Sequence, residues 1–177
     1  MRTQTDHTQF AIQLDVTFRK LCEDDLPKLE WYGEFKHFRN LFRRSYQGQL
    51  RGERLMLVAD VNDFPIGRLF IQYGHKGRSR LSDGRSKGYL YSFHLMEIFR
   101  GKGIGTQLIH TAEDILIRQN YSWATISVTK DNEGALRLYQ GQGYSIFGED
   151  EGKWHYHDHH GMVRYVHEPS FLLKKRL

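Results

Sequence analysis

The sequence predicts a mixed α/β domain, and three observations carry that prediction. Short turns join the early apolar segments, amphipathic helices join the later ones, and a glycine-rich turn sits between a strand and a helix in mid-chain. Strands joined by tight turns pair antiparallel, whereas strands joined across a helix run parallel. The expected order is β, α, α, β, β, β, α, β, α, β, β. That order implies a mostly antiparallel mixed sheet with one parallel pair across the helix at 104–119.

Each element has a local reason. Val16, Phe18 and Leu21 alternate with polar residues, which suits a first strand. Asp24 and Asp25 precede Leu26-Pro27, a helix-start signal, so a short helix through Trp31 is expected. A second helix is expected over 35–49, with Phe38, Leu41, Phe42 and Tyr46 as its apolar stripe. The run Leu55, Met56, Leu57, Val58, Ala59 reads as a buried strand, Asn62-Asp63 as a turn, and 66–73 as its hairpin partner. The glycine-rich, basic segment 74–88 is long for a hairpin connection, which marks it as mobile or functional.

A strand is expected over 89–96 and a helix from Ile104 to Gln119. Ile104, Leu108, Ile109, Ala112, Ile115 and Leu116 form that helix's inner stripe, with Glu113 and Asp114 outward. Residues 123–129 alternate as a strand. Residues 132–140 form a short helix that Gly141 and Gly143 terminate. Further strands are expected over 144–147, 153–156 and 162–167. The basic end, 172–177, carries no readable signal.

The chain has 177 residues, of which 39% are hydrophobic and 14% aromatic. This is one domain's length with enough apolar surface for a core. No linker-like composition divides it, so a single domain over 1–177 is expected, with 1–13 as a flexible tail. A single cysteine, Cys22, excludes an internal disulfide framework. No stretch approaches the roughly 20 apolar residues of a membrane span, and the first residues lack a signal-peptide core. A cytoplasmic protein with no membrane partner is the expectation.

The formal net charge is +5, with a denser basic patch at Lys76, Arg78, Arg80, Arg85 and Lys87. That balance fits a phosphorylated ligand, nucleic acid or a solvated surface. The cluster His155-Tyr156-His157-Asp158-His159-His160 offers metal-binding side chains. It has no distal Cys/His set, and alternate strand residues face opposite ways, so no metal is expected. The histidines could instead line an acceptor pocket.

The segment Arg100-Gly101-Lys102-Gly103-Ile104-Gly105-Thr106 carries the most chemistry. Glycines let the backbone approach a ligand closely, and a helix start presents unpaired N–H groups at the positive end of the macrodipole. Together they suit a pyrophosphate. A Walker A loop fails because no lysine stands between Gly105 and Thr106. A dinucleotide fingerprint fails because Gly101, Gly103 and Gly105 alternate.

The pattern Arg100-x-x-Gly103-x-Gly105 resembles motif A of the GNAT superfamily of N-acetyltransferases, with Phe99 before it and Ile104, Leu108 and Ile109 after it. Asn132-Glu133-Gly134-Ala135-Leu136-Arg137-Leu138-Tyr139, followed by Gly141-x-Gly143-Tyr144, resembles motif B at the right separation. The resemblance covers residues 14–148 and loosely the tail. It implies a GNAT-like fold, with helices on both faces of the sheet and the parallel pair splayed to open a cofactor slot.

The resemblance also implies acetyl-CoA as cosubstrate and transfer of its acetyl group to a primary amine. Backbone amides of Arg100, Gly101, Lys102, Gly103, Ile104, Gly105 and Thr106 would bind the pyrophosphate. Phe93 and Leu95 would pair with the pantetheine arm through their backbone, and Asn132 and Ala135 would border the cofactor from motif B. Tyr139 would protonate the leaving thiolate. A base must deprotonate the amine, and the nearest candidates are His94, Tyr91 and Glu97, with His94 having the most suitable intrinsic pKa. Where family members often carry Pro after the strand, this chain has Met96-Glu97-Ile98.

The acceptor stays open between a small-molecule amine and a protein N-terminus or lysine, and a homodimer is compatible with the chain. The competing function is a non-catalytic acyl-CoA-binding or basic nucleic-acid-binding module on the same fold, with nucleic acid the less favoured partner.

Overall fold

The computed structural model describes residues 13–74 and 80–177. The polar tail up to residue 12, and Lys76 and Arg78 of the basic loop, lie outside the described residues. Nine strands and three α-helices follow in chain order among them. They are β1 (Thr17–Lys20), α1 (Arg39–Leu50), β2 (Arg54–Val61), β3 (Phe64–Gln72), β4 (Lys87–Leu95), α2 (Ile104–Arg118), β5 (Trp123–Thr129), α3 (Glu133–Gly141), β6 (Ser145–Asp150), β7 (Lys153–His157), β8 (Val163–His167) and β9 (Ser170–Arg176).

Seven strands form one sheet in the order β1-β2-β3-β4-β5-β9-β6. All neighbours are antiparallel except β4 and β5, which run parallel across α2 as the connection demands. Helices cover both faces. On one, Leu108, Ile109, Ala112 and Leu116 of α2 pack on Leu57, Leu69, Ile71, Leu90 and Ile126. On the other, Phe42 of α1 packs with Leu29, Trp31, Met56, Val58 and Phe70. The expected fold class is therefore observed.

Both early helices differ from expectation, and the C-terminal end resolves. The short helix after Pro27 is a 3-10 segment, Lys28–Gly33, broken by left-handed backbone at Trp31 (φ 41°) and Tyr32 (φ 59°). The helix expected over 35–49 begins later, at Arg39, after a 3-10 turn over Lys36–Phe38. The strands expected over 153–156 and 162–167 do pair with each other, as a two-stranded sheet separate from the main one. The unread C-terminal segment is β9, inserted between β5 and β6. Its residues Leu172 and Leu173 are buried, while Lys174, Lys175 and Arg176 obscure the strand period in sequence.

The position of β9 also explains Glu113, which was expected to face outward. Glu113 is buried, accepts a hydrogen bond from Tyr144 Oη at 2.8 Å, and pairs with Lys175 Nζ at 2.6 Å. Lys175→Met would leave that carboxylate with Tyr144 alone. Removing one partner of a buried pair is costly, and the partial exposure of Lys175 discounts the loss, so about 2 kcal/mol is expected as a lower urea midpoint with unchanged slope.

Half of the basic loop is anchored. Leu81 packs with Tyr89 and Leu172, and Arg80 donates to the Glu149 carbonyl at 3.0 Å. The Asp83 carboxylate accepts from the backbone N–H groups of Arg85, Ser86 and Lys87. This capped turn feeds directly into β4.

Candidate active site

The site is built where β4 leaves β5. Their parallel pairing runs from Lys87↔Trp123 to Leu90↔Ile126 and then stops. Just beyond, β4 carries a bulge: Arg68 opposes His94 and Phe70 opposes Tyr91, so Ser92 and Phe93 together face Leu69. Ser92 sits at φ 55° to allow it. A bulge bends its strand and raises local twist, which swings 91–95 away from β5. It also re-aims consecutive side chains. Phe93 turns toward α2, where its Cζ lies 3.1 Å from the point a Cβ on Gly105 would occupy. His94 turns to the α1 face, edge-on to Phe35 with ring centroids 5.0 Å apart.

The glycine turn supplies the second wall. Gly101 (φ 71°) and Gly103 (φ 82°) hold left-handed backbone, and a Cβ at either would meet nothing within 4 Å. The left-handed conformation, not crowding, is thus what selects glycine at both. Gly103 is the N-cap of α2 and no side chain caps this helix. The N–H groups of Ile104, Gly105 and Thr106 therefore lack intrahelical acceptors and remain available to an anion.

The contrast with α3 is informative, because there the Asn132 side chain accepts from Ala135 N at 3.0 Å and closes its own helix start. That bond commits the Asn132 carbonyl to the cap and leaves its NH₂ for a ligand. Two predicted cations have local duties as well. Arg100 Nε donates to the Leu95 carbonyl at 3.1 Å, tying the turn to the splayed strand end. Lys102 Nζ donates to the Ile98 carbonyl at 2.9 Å.

Tyr139 projects from α3 toward the splay. It is buried, with its ring centroid 6.2 Å from Phe93 and 6.1 Å from Tyr144. Burial, and then the neighbouring Tyr89, push its phenol well above the ordinary tyrosine range. It therefore holds its proton throughout the neutral range and can only donate it. Tyr89 in turn hydrogen-bonds Ser127 Oγ at 2.8 Å across the last paired rungs of β4 and β5.

The base candidates separate clearly. Tyr91 is half-buried, hydrogen-bonded to Arg54 Nη1 at 3.0 Å, and raised chiefly by loss of solvent, so it is a poor base. Glu97 is exposed in the 3-10 turn beyond the strand. For His94, burial and then Arg68 bring its pKa down to about 4, so the imidazole is neutral at pH 7. A folded value below the unfolded ~6.5 means the unfolded state binds the extra proton first. Stability should thus fall as pH drops from about 6.5 to about 4. His94→Gln should remove about 2–3 kcal/mol of the stability change across that window, read from urea titrations at several pH values. Asp25 and Asp158 are each held to about 2. At both sites burial opposes the charge but is outweighed, by Arg19 for Asp25 and Arg164 for Asp158. Their contributions are therefore lost only at lower pH, outside that window.

The histidine-rich hairpin borders the α1 face. Trp154 of β7 stacks against Phe38, Tyr156 packs tilted on the same ring, and Asn40 donates to the Asp158 carbonyl. The Asp158 carboxylate accepts from His160 N, Met162 N and Arg164 Nε, which organises the turn. Among the described residues no three His, Cys, Asp or Glu side chains converge as metal ligands. No helix among them is long and apolar enough to cross a membrane.

Two residues with a place near the site were not anticipated. Ser127 is invisible in sequence because only the sheet register brings it to Tyr89. Arg68 had a usable signal, a cation inside the apolar run Ile66-Gly67-Arg68-Leu69-Phe70-Ile71.

A strand released beside an uncapped, glycine-opened helix start, with a buried phenol near the gap, is an arrangement suited to an acyl-transfer enzyme. Residues 18–144 match the model of the Acetyltransferase (GNAT) family, and the chain belongs to that family. The enzyme class expected from the sequence, an acetyl-CoA-dependent N-acetyltransferase, stands on that membership.

Solved structures share the fold. Arabidopsis thaliana NAA60 in complex with acetyl-CoA aligns at TM-score 0.68 and 16% identity, over 92% of this chain and 99% of that one. The PaiA N-acetyltransferase of Thermoplasma acidophilum in complex with coenzyme A aligns at 0.68 and 17%, over 92% and 99%. The ribosomal-protein-alanine N-acetyltransferase of Brucella melitensis aligns at 0.68 and 17%, over 91% and 99%.

Proposed function

We propose that this enzyme moves an acetyl group from acetyl-CoA directly onto a primary amine, with the amine arriving from the α1 face of the sheet. The observation that carries this reading is the pairing of an uncapped α2 start with the opened β4–β5 gap under Tyr139. Crystals of two fold neighbours hold acetyl-CoA or CoA, which supports the same ligand here.

Acetyl-CoA supplies an activated carbonyl and a thiolate leaving group. The chain's own residues do the rest. The N–H groups of 104–106, with Arg100, Gly101, Lys102 and Gly103 around them, hold the pyrophosphate. The backbone of Phe93 and Leu95, freed from β5, offers a strand edge to the pantetheine amides. A backbone N–H of this edge polarises the carbonyl oxygen. The Asn132 NH₂ and the Ala135 backbone border the arm from α3. Tyr139 donates its proton to the departing sulfur.

His94, neutral at pH 7, accepts the proton released when nitrogen attacks. Its low pKa makes it a relay to solvent rather than a strong base. The acceptor is a small-molecule amine or a protein N-terminus or lysine. Titration calorimetry with acetyl-CoA and CoA, followed by thiol release over an amine panel, tests this reading. Binding of neither ligand would overturn it.

A further inference from the structure

Arg68 is the least expected side chain in the core. It lies in the middle of β3 and is fully buried. Its guanidinium carbon is 4.1 Å from the Phe35 ring centroid, 5.0 Å from that of Trp31 and 5.1 Å from that of Phe42. A guanidinium has five N–H donors in a rigid fork. Here Nε reaches Ser92 Oγ at 3.4 Å, and among the described residues neither terminal nitrogen has any hydrogen-bond partner. Stacking on aromatic faces stabilises the cation but satisfies none of those donors. Burial pulls its pKa down to about 9, which still leaves it charged at neutral pH.

Glu34 offsets part of that cost through space, yet among the described residues no group hydrogen-bonds the terminal nitrogens, and a buried cation without a hydrogen-bonded partner is costly. The cover above it is also strained. Trp31 and Tyr32 hold consecutive left-handed conformations within Lys28–Gly33, each of which costs a non-glycine residue on the order of 1–3 kcal/mol. Tyr32 is almost fully exposed, while Trp31 is pinned by its indole N–H to the Pro65 carbonyl at 2.9 Å. Phe35, the ring closest to Arg68, also contacts His94. Arg68 and His94 are cross-strand partners, and both contact this one aromatic ring next to the splay.

We propose that Arg68 is an anion site on the acceptor side, taking the carboxylate of an amine acceptor when Phe35 and the strained Lys28–Gly33 segment move aside. Two free terminal nitrogens match the two oxygens of one carboxylate, a bidentate geometry that lysine cannot reproduce. The fork brings a single positive charge, which matches a monoanion better than a phosphate. The acceptor class is accordingly an amine bearing a carboxylate, either an amino acid or a peptide with an acidic residue beside its N-terminus. This rests on the acetyl-transfer reading for the amine's fate but not for the anion site itself.

The test pairs matched acceptors: lysine against lysinamide and cadaverine, and Ala-Glu-amide against Ala-Gln-amide. In the unaltered enzyme, kcat/KM is expected to favour the carboxylate member of one pair about tenfold or more, through KM, because a buried charge pair is at stake. Arg68→Met should bring that ratio to about one while leaving acetyl-CoA affinity in calorimetry unchanged. Arg68→Lys keeps the charge without the fork and should give an intermediate ratio. It also serves should the methionine variant fail to fold. Equal kcat/KM within both pairs, or a preference that survives Arg68→Met or is undiminished in Arg68→Lys, overturns the proposal.

Trp31 gives a readout that needs no turnover. Its fluorescence should respond to the preferred carboxylate and not to its uncharged partner, with the response lost in Arg68→Met and in the Trp31→Phe control. If acetyl-CoA fails to bind while this response is present, the transfer reading falls and the anion site stands. Acetyl-CoA binding with no such response to either carboxylate has the opposite meaning.

Discussion

Tyr139→Phe is expected to lower kcat by about 100-fold or more while leaving acetyl-CoA affinity unchanged. The substitution removes one oxygen and keeps the ring that packs between Phe93 and Tyr144, so the fold should lose less than about 1 kcal/mol. The magnitude is that of a positioned general acid, since a thiolate expelled without a proton donor must find one in solvent. The pH profile supplies an independent check. Burial and Tyr89 raise the Tyr139 phenol, so its ionisation should depress activity only above the ordinary tyrosine value of about 10. A basic limb with a midpoint below that value, abolished in the phenylalanine variant, would contradict the assigned environment. An unchanged kcat would place proton donation elsewhere.

Gly103→Val is expected to weaken acetyl-CoA binding by about 10- to 100-fold with little change in thermal midpoint. Gly103 sits at φ 82° and a Cβ there would touch nothing within 4 Å, so the penalty is conformational rather than steric. A β-branched residue in that region costs on the order of 1–3 kcal/mol. The free protein can escape this by relaxing the exposed turn, and the strain then reappears on binding, when the N–H groups of 104–106 must converge. Calorimetry with acetyl-CoA reads the loss directly. An unaltered dissociation constant would show that the turn does not hold the pyrophosphate. Gly105 is a different case, since a side chain there would press on Phe93, and its replacement should disturb the splayed strand as well.

Much of the fold was legible in the sequence because its signals are local. Alternation marked β5, the run at 55–59 marked β2, and the stripe from Ile104 to Leu116 marked α2. The two glycine motifs pointed to the family for the same reason: each is a continuous stretch whose backbone demands are written in its own residues. Failures fell where the deciding partner was distant. The 3-10 segment after Pro27 is shaped by Trp31 reaching Pro65, not by its own propensity. Glu113 faces inward only because β9 delivers Lys175 to it. That strand was unreadable because Lys174, Lys175 and Arg176 break its apolar period, although it lies inside the sheet between β5 and β6.

The sequence by itself determined a mixed α/β sheet, a glycine turn at a helix start and a tyrosine on the following motif, since these depend on contiguous residues and helical or strand period. Only the tertiary structure decided which groups share a site. The β4 bulge turns Phe93 toward the glycine turn and His94 toward Phe35, and strand pairing brings Ser127 to Tyr89. It also seals Arg68 beneath three aromatic rings drawn from separate segments. Burial of a charge is a property of what closes over it, and no single stretch of the chain contains that information.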